Sequence, residues 1–258
     1  LRWEALRDPA DGTPLAVGER HAMARVPASA DLSPLQPALV GDLRAAVAVA
    51  SPRDLGSYGL ASLQIEVELS RACGALAGLS PEPLARTTRR PATLARIAAL
   101  LREGVQILYL MAHSSLQDGE TYLWLEREDG SAHRVAGAEL LTLVAGLRQR
   151  PLLIVLASCE TAGAAHDSGM AALGPQLARA GVAAVIAAHG ALGQQTATLM
   201  LPVLMRQLLR DGRADTALAA ARAAALAAGD EEWWRLVLYL RPPDGRLWVA
   251  GSSAQGPG

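Results

Sequence analysis

Two apolar runs constrain this chain more than anything else in it. They are Gln106-Ile107-Leu108-Tyr109-Leu110-Met111-Ala112-His113-Ser114 and Pro151-Leu152-Leu153-Ile154-Val155-Leu156-Ala157-Ser158-Cys159. Each reads as a strand buried on both faces, the pattern of a parallel sheet covered by helices. Each stops at a reactive side chain, His113 in the first and Cys159 in the second. In an open parallel α/β sheet, ligands bind in the crevice outside the carboxyl ends of the strands. If the two strands are neighbours, an imidazole and a thiol face each other there, which is what a cysteine hydrolase needs.

The remaining pattern alternates strands and helices. A strand pair is expected near 15–26, a buried strand over 43–50 ended by Ser51-Pro52, and a helix over 61–78 with Ile65, Leu69, Cys73 and Leu76 on one stripe. A short strand near 84–87 and a helix opened by Pro91 and running to 103 lead into the strand that ends at His113. Residues 122–125 and 132–135 flank Glu128-Asp129-Gly130, a hairpin signal. Helices follow at 137–148 and 169–180, with the Cys159 strand between them. The spacing then predicts a strand over 182–188, helices over 192–210 and 213–228 split by Asp211-Gly212, and closing strands over 234–240 and 247–250. The order predicts a three-layer α/β fold with a central, mostly parallel sheet of about six strands. Residues 1–250 read as one domain and 251–258 as a flexible Gly/Ser linker. The start at Leu1 suggests a domain taken from a longer protein.

Composition narrows the function. Apolar residues are 51% and charged ones 19%, enough for a sizeable core; Phe is absent, so Leu, Val and Ala must fill it. A net charge of −1 gives no footprint for nucleic acid. No run is long enough to suggest a membrane span, and two distant cysteines in a chain without a signal peptide argue against a disulfide scaffold. The expected location is cytoplasmic. Metal-ligand spacing and Gly-rich phosphate loops are missing, so no cofactor is expected. Cys73 reads as core, His21 and His133 as strand or surface positions, His166 and His189 as loop positions, and the Ala-rich run 217–228 as a cover for the sheet.

A thiol attacks as thiolate, and a free cysteine near pH 7 is mostly protonated. A neighbouring imidazole can take that proton and later return one to a leaving amine. Backbone N–H groups of Ser114 and Cys159, on adjacent loops, can receive the oxyanion. The residues alone leave an alternative open: Cys159 as a small hydrophobe in a strand–helix turn, His113 as a capping residue.

The order of motifs adds a resemblance. From His113 through the hairpin to Pro151–Cys159, then Ala180-Gly181-Val182-Ala183-Ala184-Val185-Ile186-Ala187, Trp233-Trp234 and Leu238-Tyr239-Leu240, the chain resembles the CHAT domain, a bacterial relative of caspases and separase. Leu1-Arg2-Trp3-Glu4-Ala5-Leu6 with Asp8-Pro9 resembles the family's opening. The resemblance implies a caspase-like cysteine endopeptidase with His113 as base and Cys159 as nucleophile. It also implies a protein substrate, flanking sensor or repeat domains, activation by a ligand or self-assembly, and a setting in bacterial defence or regulated cell death. Where the family often has Gly on both sides of the His, this chain has Ala112 and Ser114; Ala157-Ser158 replaces Asn-Ala, and His189 stands where relatives often have Gln. In this clan the S1 pocket is charged in several members, so Glu160, Asp167 and Asp118 are candidate pocket residues favouring Arg or Lys at P1. The alternatives are solvated loop carboxylates here and, for the whole chain, a catalytically quiet scaffold or an acyltransferase or amidase using the same pair.

Overall fold

Uninterrupted apolar stretches become the central strands. A computed structural model describes residues 2–18, 22–28, 38–157, 169–190 and 192–249. In chain order its strands are β1 (Ala38–Leu39), β2 (Ala45–Val49), β3 (Glu82–Leu84), β4 (Ile107–Met111), β5 (His113–Gln117), β6 (Glu120–Glu126), β7 (Ala132–Ala136), β8 (Leu153–Ala157), β9 (Ala184–Ala188), β10 (Leu236–Leu240) and β11 (Trp248–Val249). Among the described residues the main sheet runs β10-β9-β8-β4-β2-β3 and is parallel except at β10. A second, antiparallel sheet runs β5-β6-β7, and β1 pairs with β11.

Every residue of β2, β4, β8, β9 and β10 is buried, because alternate side chains feed two cores. On one face Val47, Tyr109, Val155, Ile186 and Leu238 meet α1 (Ile65–Ala75), α5 (Gln194–Asp211) and α6 (Ala214–Ala227). On the other, Ala46, Leu108, Ile154, Val185 and Val237 meet α2 (Leu94–Arg102), α3 (Gly137–Ala145) and α4 (Gly169–Arg179). Each fully buried Leu, Ile or Val contributes roughly 2 kcal/mol. Without phenylalanine, bulk comes from many such side chains and from close helix approach: Ala214, Ala217, Ala221 and Ala225 put α6 into the core. The expected three-layer α/β architecture and its six-stranded, mostly parallel sheet are what the structure has. No helix among the described residues is long and apolar enough to cross a membrane.

Three local expectations are corrected. Among the described residues no strand pair forms near 15–26: Pro14 and Gly18 bracket a three-residue 3-10 turn, Leu15–Val17, and Arg25 makes a single bridge to the edge strand β10. The strand near 84–87 begins at Glu82 and ends at Leu84, where the chain turns through Arg86–Thr88. The third matters most: His113 does not close a strand but opens one. β4 stops at Met111, and from His113 the chain pairs with β6 through Asp118-Gly119, whose φ values of +51° and +80° make a tight two-residue hairpin.

Both rims of the main sheet are modified. β3 has three residues with Pro83 at its centre. Along β10, the Arg25 N–H donates to Leu238 O (2.8 Å) and the Leu240 N–H donates to Arg25 O (3.0 Å).

α5 ends at Gly212 (φ +70°), whose N–H donates to Leu208 O (2.7 Å). A Cβ there would overlap the carbonyl oxygen of Trp248, which is fully buried with its indole N–H on Leu208 O (3.0 Å). Gly212→Ala is expected to destabilise the fold by about 2 kcal/mol or more, from left-handed strain plus that clash. A urea midpoint unchanged by the substitution would contradict this.

Candidate active site

The topology marks a crevice before any side chain is considered. From β2 the chain goes to β3 on one side, and from its neighbour β4 it goes to β8 on the other. Where connections diverge like this, a crevice opens outside the carboxyl ends of the two strands. The segment 50–64 after β2 and residues Ala112 and His113 after β4 border it. His113 is 3% exposed there.

The His113 ring is anchored. Its Nε2 lies 2.7 Å from the carbonyl oxygen of Ala61. A carbonyl only accepts, so Nε2 carries the hydrogen, and in the neutral ring Nδ1 carries the lone pair. The contact thus selects, for the neutral imidazole, the tautomer protonated on Nε2.

The segment carrying Ala61 is itself tied down. The Leu63 N–H donates to Ser51 Oγ (3.0 Å), and the Ser51 N–H donates to Glu126 Oε1 (3.0 Å). Glu126 Oε2 also accepts from the Ala92 N–H (2.7 Å), and Arg86 Nε donates to Ser51 O (2.9 Å). Asp54 Oδ1 accepts from the Ala132 N–H (2.7 Å), joining the segment to β7. Each bond contributes about 1 kcal/mol, and together they fix where the Ala61 carbonyl points.

The family model for the CHAT domain matches residues 1–248. The chain belongs to the CHAT family. CHAT domains belong to the caspase-like clan of cysteine peptidases, and the six helices and mostly parallel sheet found among the described residues fit that fold. No curated protein matches the sequence.

In this CHAT domain the carboxyl ends of β4 and β8 are adjacent. Met111 registers with Ala157, and the Ala112 N–H donates to Ala157 O (3.3 Å). Cys159 follows two residues later and lies outside the described residues, as do Glu160, Asp167, His166 and His21. Ser114 is buried and pairs with Leu123 in the β5–β6 ladder, directly after His113. Asp118 is not brought to the imidazole: it sits at the hairpin turn, five residues along, on the order of 16 Å away. Cys73 stands half-buried on α1, and burial pushes its thiol up, away from thiolate. His189 ends near the Trp234 ring (6.2 Å between centroids), and His133 lies in β7. Among the described residues no group of His, Cys, Asp or Glu is placed to hold a metal ion.

Three features of the CHAT site escape sequence reading. The Ala61 carbonyl is a backbone atom 52 positions from His113 in sequence. Glu126 breaks the apolar pattern of a buried position but looks like the polar end of a strand. Trp124 pairs with His113 across the ladder, and the Tyr58 ring packs against it, tilted, with centroids 4.4 Å apart. The alternation of Tyr122 and Trp124 was the available signal for an exposed aromatic face.

Burial pushes the Glu126 carboxyl above its usual value of 4.5, while the Ala92 and Ser51 N–H groups and Arg86 pull it back. With the folded-state value above the unfolded one, the folded chain binds more protons in that window. The residue's stabilising contribution is therefore full below pH 4.5 and is lost as pH rises through the folded-state value. Glu126→Gln removes this component and one acceptor, at about 1 kcal/mol. The cost of the substitution should be largest in acid and shrink as pH rises, read from paired urea titrations; a pH-independent difference would rule it out.

Proposed function

We propose that this CHAT domain is a cysteine endopeptidase that cleaves a protein partner, with His113 as general base and Cys159 as nucleophile. The observation that carries the reading is the His113 imidazole anchored through Nε2–H on the Ala61 carbonyl at the sheet's crevice. Register adds support: β4 and β8 end side by side, and two residues of chain, a reach of about 7 Å, separate Met111 from His113 and Ala157 from Cys159.

In this mechanism His113 Nδ1 takes the proton from Cys159 Sγ, and the thiolate attacks the scissile carbonyl carbon. Negative charge develops on the carbonyl oxygen and is received by the Ser114 and Cys159 N–H groups. The C–N bond breaks as the imidazolium Nδ1–H passes its proton to the leaving amine, leaving a thioester on Cys159. Water then attacks, His113 takes its proton, and the carboxylate product leaves as the thiol re-forms. The Ala61 carbonyl stays bonded throughout and favours the imidazolium. Glu160 and Asp167 supply acidic charge for Arg or Lys at P1. The reading includes latency: flanking sensor or repeat domains, a ligand or self-assembly order the site in bacterial defence or cell death.

Incubating the unmodified chain and Cys159→Ala with candidate partner proteins, and sequencing new N termini by mass spectrometry, tests this. Fragments should appear only with Cys159 present. Identical fragment patterns from the two proteins would overturn the peptidase; partner binding without any fragments would leave a scaffold.

A further inference from the structure

We propose that the outer face of the β5-β6-β7 sheet is a substrate platform, and that it selects an acidic side chain about three residues from the scissile bond, beside an apolar one. The inference deepens the peptidase reading and rests on it.

Partners directly opposite in an antiparallel ladder share a face. His113 is paired with Trp124, and Trp124 with Arg134; Ser115 and Tyr122 form the next row. One face of the small sheet therefore presents His113, Trp124, Tyr122 and Arg134. The other face, with Leu123, Leu125 and Val135, is buried in the core, so the platform faces outward.

The platform is continuous with the imidazole. Tyr58 packs against Trp124 with centroids 4.4 Å apart and the rings tilted by 45°, and it is 50% exposed. It lies three residues before Ala61, the residue that anchors His113. A peptide aligned at His113 meets this aromatic step next, and an apolar side chain laid on it displaces water from both rings.

Beyond the step stands a cation. The Arg134 guanidinium lies 3.7 Å from the centroid of the Tyr122 ring and donates to Gln117 Oε1. Arg134 is exposed and has no carboxylate partner among the described residues, unlike Arg96 with Glu128 or Arg213 with Asp215. Stacking on Tyr122 fixes the guanidinium plane, and its remaining donors suit a carboxylate. It stands in the same row as His113, two strand spacings across, about 10 Å, which an extended peptide covers in three residues.

The test uses the full chain carrying Cys159→Ala, so that binding is read without turnover, against an arrayed peptide library drawn from a bacterial proteome. Bound peptides should be enriched in Asp or Glu, with an apolar neighbour, and high salt should weaken them. Arg134→Glu should lower affinity for the acidic peptides about tenfold and shift enrichment to Lys and Arg. Trp124→Ala should erase the apolar preference. Acidic enrichment unchanged by Arg134→Glu, or no peptide bound at all, overturns the platform. A parallel digestion with Cys159 intact separates the two ideas: cuts should fall two to four residues from the acid. Selective, Arg134-dependent binding without Cys159-dependent cuts supports the platform and counts against the peptidase; cuts with no acidic preference sink the platform alone.

Discussion

Replacing His113 by alanine is expected to lower peptide hydrolysis by about 10³-fold, within the span usual for a positioned general base. At neutral pH the isolated thiol of Cys159 is mostly protonated, so without the imidazole the thiolate fraction collapses. Cys159→Ala should be at least as damaging, and the double variant little worse than either, because the pair acts as a unit. A second readout separates chemistry from folding. Iodoacetamide alkylation of Cys159 against pH should show a thiolate population at neutral pH that disappears in His113→Ala, returning the thiol toward about 8.5. Losing the bond from Nε2–H to the Ala61 carbonyl should cost only about 1 kcal/mol of stability. Hydrolysis unchanged in a folded His113→Ala protein would remove the histidine from the mechanism.

The largest expected effect on stability is elsewhere. Glu4 is 1% exposed, and its two oxygens accept from Arg25 Nε (2.8 Å) and Arg25 Nη2 (2.7 Å). Behind this pair sits Arg222, fully buried, with Nη2 on Leu236 O (2.7 Å). Burial pushes the Arg222 guanidinium down to about 10, with the Arg25 charge adding to the fall and the Glu4 charge opposing it. One buried carboxylate thus serves two cations, the partly exposed Arg25 and the buried Arg222. Glu4→Gln keeps the shape and removes the charge, so it should destabilise the fold by about 3 kcal/mol, the cost of a buried charge left without its partner. Replacing Arg222 by Met in the same chain should recover part of the loss, because the two residues are energetically coupled. Additive losses in the urea midpoints of the single and double variants would refute this.

The central strands were legible because each is an unbroken apolar run, and the β6–β7 hairpin because Asp129-Gly130 punctuates it. The helices were legible to within a few residues from their stripes and from Gly and Pro at their ends. β5 was not, although Asp118-Gly119 marked its turn: Ser114-Ser115 lacks the alternation of a half-buried strand, and its partner β6 holds it in place. Pairing of β1 with β11 was hidden for another reason, since two residues carry no period and the pairing is purely tertiary. Within the site, His113 was visible as a reactive group ending an apolar run. Its anchor was not, since a main-chain oxygen at Ala61 has no signature in residue type. Asp118 looked close to His113 in sequence, but an extended strand carries it away along the hairpin.

The two rims of the main sheet bear on how copies of this domain can meet. On one side the three-residue strand β3 has Pro83 at its centre, where no N–H is available to a newcomer. On the other, Arg25 already occupies both an N–H and a carbonyl of β10. An added strand would find neither rim continuous, so edge-to-edge growth into fibrils is blocked at the backbone. Association of copies through the rims of the main sheet is then left to side chains and can be reversed or retuned by single surface substitutions.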